Sequence, residues 1–161
     1  MSLAAGDRER LAFLARVIDA ECRNLQSTDE RLFEEPFTPA RASTLSEDAA
    51  LAERVDAFVA RFSRLQDTLG DKLLPVLLAA VGEDRSTLID RLDQAERLGW
   101  IESSDEWMAI RQLRNQMIHE YIEDVELLAN ALQSGHQHVA VLLQAAQSMR
   151  SEISNRGWLA P

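Results

Sequence analysis

The sequence predicts an all-α protein, an up-down bundle of about five helices. Three observations lead there. Glycine and proline are scarce, six and four in 161 residues, and no run of β-branched or aromatic residues alternates with period two, so no segment reads as a strand. Ala, Leu, Glu, Arg and Gln fill the long segments and bias them toward helix. Apolar residues recur at three- and four-residue steps, which collects them on one face of a helix. With 46% of residues hydrophobic, one ordinary core is attainable without disulfides or metal, so residues 1–161 are read as a single domain.

The first helix is expected from Asp7 to Gln26, with Leu11, Leu14, Ile18, Cys22 and Leu25 forming its apolar stripe. Residues 27–44 contain Pro36, Pro39 and scattered Ser and Thr, which breaks the period into a loop or insertion longer than bundle connections usually are. Thr44 and Glu47 have the spacing of a capping box. A long helix is expected to start there, with Leu51, Val55, Phe58, Phe62, Leu65 and Leu69 repeating every 3.5 residues on average, the pattern of a central or dimer-forming helix. Pro75 lacks an N–H, so a kink is expected between Gly70 and Pro75, and Gly82 suits the C-cap. A shorter helix from Ser86 to Leu98 turns Leu88, Leu92 and Ala95 inward and ends at Gly99, followed by the apolar plug Trp100-Ile101. Ser103 and Glu106 form a second capping-box pattern, opening a helix through Trp107, Ile110, Leu113, Met117 and Tyr121. The last helix starts near Val125 and reaches Arg150 or beyond, with Gly135 as its weak point. Helices joined by short loops lie antiparallel.

Composition narrows the function. A net charge of −10 argues against nonspecific affinity for nucleic acid or anionic membranes, which clustered Lys and Arg supply, so any RNA contact must be local. The longest apolar runs fall short of the roughly 20 residues that span a bilayer, and charges crowd the N-terminus, so a cytoplasmic protein without membrane contact is expected. The single cysteine, Cys22, reads as a semi-buried helical thiol. His136 and His138 are two residues apart and diverge by about 200° on a helix, which keeps them from sharing a metal. Trp100 and Trp107 flank an apolar stripe and read as core anchors rather than a base-stacking platform, and Trp158 is placed to dock a tail or contact a partner. The chain has no glycine-rich phosphate loop, no nucleophile elbow and no His–carboxylate metal signature. No cofactor or metal is expected.

The chemistry gathers at Arg114-Asn115-Gln116-Met117-Ile118-His119-Glu120-Tyr121. At about 100° per residue, Arg114 and Tyr121 share a face, Asn115 and His119 share an adjoining one, and Arg114 and His119 diverge by roughly 140°. Arginine has the reach to swing its guanidinium across that angle, and the Asn115 amide sits where it could orient the imidazole. Such a cluster suits a phosphodiester: neutral imidazole removes a proton from a ribose 2′-hydroxyl while the guanidinium stabilises charge on the phosphoryl oxygens. From this chain's own composition, an Arg five residues before a His is expected by chance about 0.3 times, and adding the Tyr lowers that to roughly 0.002.

The octapeptide resembles the R-x4-H-x-Y motif of the HEPN superfamily, the higher-eukaryote and prokaryote nucleotide-binding proteins. The lead-in from Leu98-Gly99-Trp100-Ile101 through Trp107 to Arg111 is similar to the bacterial branch related to nucleotidyltransferase substrate-binding proteins. The resemblance covers about 25 residues and is architectural elsewhere. It implies a helical bundle paired as a two-fold homodimer, with Arg114 and His119 of the two subunits meeting in a cleft that cleaves RNA without metal, one His as base and its mate as acid. It implies that a partner, a minimal nucleotidyltransferase of a toxin–antitoxin pair, transfers AMP to Tyr121 and silences the nuclease. Some relatives are noncatalytic companions of such transferases.

Two features depart from the nuclease pattern. Glu120, Glu123, Asp124 and Glu126 crowd the end of the motif, repelling phosphate and favouring the charged imidazole. The segment 27–44 exceeds the usual bundle connection and reads as an added lid, a partner-docking element or a disordered stretch. On the motif, the leading expectation remains a metal-independent HEPN endoribonuclease controlled by a nucleotidyltransferase. The alternatives are a noncatalytic subunit that binds a nucleotide or the transferase, and a purely structural helical dimer.

Overall fold

The computed structural model describes residues 3–119 and 124–159, without the side chain of His119. Among them every regular element is helical: α1 (Ala5–Leu32), α2 (Pro39–Ala42), α3 (Ala49–Asp67), a π-helical turn (Thr68–Leu73), α4 (Leu74–Ala80), α5 (Leu88–Arg97), α6 (Ser104–His119) and α7 (Val125–Asn155). The all-α bundle read from the sequence is the fold. None of these helices is long and apolar enough to cross a membrane.

Side-chain pairs give the helix directions. Between α1 and α7, Arg8 donates to the carbonyl of Gly157 (3.0 Å), Arg150 to Asp19 (2.8 Å), and His136 Nδ1 lies 2.7 Å from Asp29 Oδ1. As residue numbers climb on α1 they fall on α7, so the two are antiparallel. Thr68 to Glu21 (3.0 Å) and Arg61 to Asn24 (3.1 Å) make α1 and α3 antiparallel by the same test, and Arg111 to Asp71 and Arg114 to Asp67 do so for α3 and α6. Helix α6 also packs on α7, closing a ring of four around the core, while α5 packs on α4 and α6 at one end.

The first helix runs six residues beyond the expected Gln26. Its stripe continues through Thr28 and Leu32, which are 3% and 0% exposed. A hydroxyl stands at an inward position because Arg61 donates to it. The rest of the segment expected to be loop is also anchored. Arg41 donates to the carbonyls of Leu32 (2.6 Å) and Glu35 (2.8 Å), satisfying the exposed end of α1. Phe33 packs edge-on against Phe58 and stacks on His136 at 4.3 Å, and the Phe37 N–H donates to Gln133 (3.0 Å). The stretch is a packed strap carrying the short α2.

The Thr44–Glu47 capping box does not form. Thr44 Oγ1 donates back to the Arg41 carbonyl (2.8 Å), and Asp48 caps α3 through the Leu51 N–H (3.0 Å). All six residues of the 3.5-residue stripe on α3 are at most 5% exposed. They are covered by this chain's own helices, so the stripe presents no seam to a second copy.

The kink expected before Pro75 takes the form of the π turn, with the Leu74 N–H reaching the Leu69 carbonyl. The widened turn also brings Gly70 against Trp107, where an added Cβ would stand 3.1 Å from the indole nitrogen. Gly82 and Gly99 both have φ of +78°. Each closes a Schellman motif: the Glu83 N–H reaches Leu78 O (2.8 Å) and the Trp100 N–H reaches Ala95 O (2.9 Å). Thr87 caps α5 and Ser103 caps α6. Gly135 does not interrupt α7; a Cβ there would meet Met117 Sδ at 3.1 Å and Phe58 Cε1 at 3.3 Å, so the missing side chain is what lets α6 and α3 approach.

Candidate functional site

Helix α6 presents two strips. Ile110, Leu113 and Met117 are 0–7% exposed and face the core. Trp107, Arg111 and Arg114, at four- and three-residue steps, meet α3 and the π turn. Trp107 touches Gly70, the Arg111 guanidinium donates to Asp71 (3.2 Å), and the Arg114 guanidinium donates to Asp67 (3.1 Å). Opposite them, Ser63, Gln66, Asp67 and Gly70 fall at i, i+3, i+4 and i+7, a single face of α3 and its continuation.

That seam holds unusual polarity. Gln66 is fully buried and Ser63 is 7% exposed. The Ser63 hydroxyl, both amide atoms of Gln66, the Trp107 indole N–H and Arg114 Nε are buried with no hydrogen-bond partner among the described residues. Buried polar groups are nearly always satisfied, and an unmet one costs about 1–3 kcal/mol. Their concentration beside Arg114 sets this seam apart from the apolar contacts elsewhere on α6.

Arg114 is half-buried, as is Asp67, with side chains 30% and 33% exposed. Its position is thus set at one end by a charge-assisted bond, while Nε is buried without a partner among the described residues. Asn115 is exposed on the adjoining face. His119 is the final residue of α6; its imidazole and Tyr121 lie outside the described residues, so the expected convergence of Arg114, Asn115, His119 and Tyr121 is neither drawn together nor separated by the geometry.

Glu21, on α1, stands at the junction with the π turn. Its Oε1 accepts from Thr68 and its Oε2 is buried without a partner among the described residues. Burial raises its pKa, opposed by the Thr68 bond and by Arg64 and Lys72. Cys22 beside it is pushed up to about 11, by burial first and then by Asp19 and Glu21. The two C-terminal histidines take separate partners, His136 on Asp29 and His138 on the Ser134 carbonyl (2.7 Å). Trp100 and Trp107 are 4% and 1% exposed, core anchors as read. Trp158 is half-buried beneath Arg156, its N–H on Ile153 O, and closes the end of α7.

Asp67, Gln66 and Ser63 were not among the residues picked out from the sequence. The signal was present: a strip of α3 that is polar yet lies next to the apolar stripe. Amphipathic reasoning assigns such a strip to solvent, and only the approach of α6 buries it. No family model, curated protein or solved structure matches the chain.

Proposed function

We propose that this protein is a HEPN-type subunit, a metal-independent endoribonuclease working through Arg114 and His119 and controlled by a nucleotidyltransferase acting on Tyr121. The observation that carries the reading is the seat of Arg114. One turn from the end of α6, in the octapeptide that resembles the HEPN motif, an arginine is held by Asp67 and keeps a buried Nε without a partner among the described residues. An arginine positioned in advance loses little freedom on meeting a phosphoryl group, which its planar fork matches.

In the proposed reaction, neutral His119 takes the 2′-hydroxyl proton. The 2′-oxygen bonds to phosphorus and the bond to the 5′-oxygen breaks. That oxygen leaves with a proton from the imidazolium of a second subunit, and the first fragment ends in a 2′,3′-cyclic phosphate. Arg114 stabilises the negative charge on the nonbridging oxygens.

The test is cleavage of a mixed-sequence RNA in EDTA. Wild type is expected to leave cyclic phosphate ends, with a loss of about 10²-fold or more in His119→Ala and in Arg114→Gln, circular dichroism confirming that each variant is folded. Equal cleavage by wild type and variants, or none by folded wild type, rejects the nuclease.

One observation favours a second reading, a noncatalytic subunit that binds a nucleotide or the transferase. Asp67 already neutralises part of the Arg114 charge, in a chain of net charge −10. That subunit would bind the transferase with Tyr121→Phe as well as with wild type, whereas the nuclease with Tyr121→Phe escapes silencing by AMP transfer.

A further inference from the structure

We infer that the groove between the end of α1 and the start of α3 is a binding site for a terminal phosphate group, separate from the Arg114 seam. A cavity of about 250 Å³ lies there, lined by Thr28 and Arg31 of α1 and by Glu53, Arg54 and Arg61 of α3. Ala50, Arg54, Ala57 and Arg61 follow at steps of four, three and four, so both arginines of α3 and the small residues between them share one face.

Five arginines elsewhere, Arg85, Arg111, Arg114, Arg150 and Arg156, each lie within 4.0 Å of a carboxylate. Arg31, Arg54 and Arg61 have no such partner among the described residues. Arg61 is nevertheless held in place, its Nη1 donating to the Asn24 carbonyl (3.1 Å) and to Thr28 Oγ1. The lining thus carries three guanidiniums against the carboxylate of Glu53, a local excess of positive charge on a protein of net charge −10. Guanidinium forks bind phosphate oxygens two at a time.

Size and charge choose among phosphate ligands. The volume falls below the roughly 300–1,000 Å³ of pockets that enclose whole small molecules, so it accommodates a phosphate or pyrophosphate group rather than a complete nucleotide. A polynucleotide would extend beyond the patch by more than the Debye length of about 8 Å and meet the acidic surface. A terminal phosphate, compact and doubly charged, does not.

The experiment is titration of inorganic pyrophosphate into the full chain at ionic strength matched with sodium chloride, following the arginine Nε–Hε resonances by NMR. Those of Arg31, Arg54 and Arg61 are expected to shift together and saturate below millimolar concentration. The Arg31→Gln/Arg54→Gln variant, altered at two exposed positions, is expected to bind at least about tenfold more weakly with the rest of its spectrum unchanged. Failure to saturate at millimolar pyrophosphate, equal shifts at the remote Arg10 and Arg97, or unchanged binding by the variant overturns the site. An oligonucleotide with hydroxyl ends that competes as well as pyrophosphate overturns the choice of a terminal phosphate.

Discussion

Gln66 shows how much one residue's surroundings matter. Its amide is fully buried with neither atom partnered among the described residues, so Gln66→Met, close in volume and apolar, is expected to raise stability by about 1 kcal/mol. Urea denaturation would show a higher midpoint at unchanged slope; a lower midpoint would mean that the amide is satisfied in solution. Glu21 gives a pH signature. Its pKa is raised from an ordinary 4.5 by burial, so the folded state holds the proton more tightly than the unfolded one. The associated stability is present below about pH 4.5 and is lost as pH rises through the folded value. Glu21→Gln is therefore expected to stabilise the protein at pH 7 and to match wild type near pH 4, as thermal melts at the two pH values would reveal. Cys22, held up to about 11, is expected to react with iodoacetamide at pH 8 far more slowly than free cysteine, and equal rates would contradict its burial.

At the scale of elements, two glycines in helices carry opposite expectations. Gly135→Ala improves intrinsic helix propensity, yet its methyl would stand 3.1 Å from Met117 and 3.3 Å from Phe58. Overpacking wins, and a loss of about 1–3 kcal/mol is expected. Gly6→Ala meets nothing within 4 Å and is expected to be neutral or slightly stabilising. Thermal denaturation of the pair separates packing from propensity. Local chemistry was legible for α5, α6 and α7, where Gly99, Ser103 and Val125 mark the ends within a residue or two. It misled at the end of α1, because Ser27-Thr28-Asp29 reads as loop until Arg61 and His136 supply partners from α3 and α7. At the candidate site, Arg114 was legible from its spacing to His119 and Tyr121. Its anchor Asp67, 47 residues away in sequence, was not, because no local pattern encodes an antiparallel neighbour.

For the molecule as a whole, the central question is whether it works as a pair. The HEPN resemblance implies a homodimer, whereas the stripe on α3 that first suggested pairing is covered within one chain. Light scattering at micromolar concentration is expected to give twice the chain mass of 18.1 kDa; a monomer would remove the two-subunit acid–base scheme. Around the motif, Ile118, Val125 and Leu127 are 45%, 44% and 50% exposed, which places apolar surface where such a pair would meet. Lys substitution at Leu127 is the corresponding check, expected to shift the mass toward monomer while leaving the helical signal intact.

The sequence by itself determined the helical class, the inward stripe of each long helix and the motif at the end of α6, since all three follow from spacing within a few turns of chain. The tertiary structure decided which polar residues are buried, why Gly135 must be glycine, and which arginines have a carboxylate partner. Those depend on which helix lies opposite, and the side chains that meet across the α3–α6 seam and the α1–α3 groove are brought together only by folding.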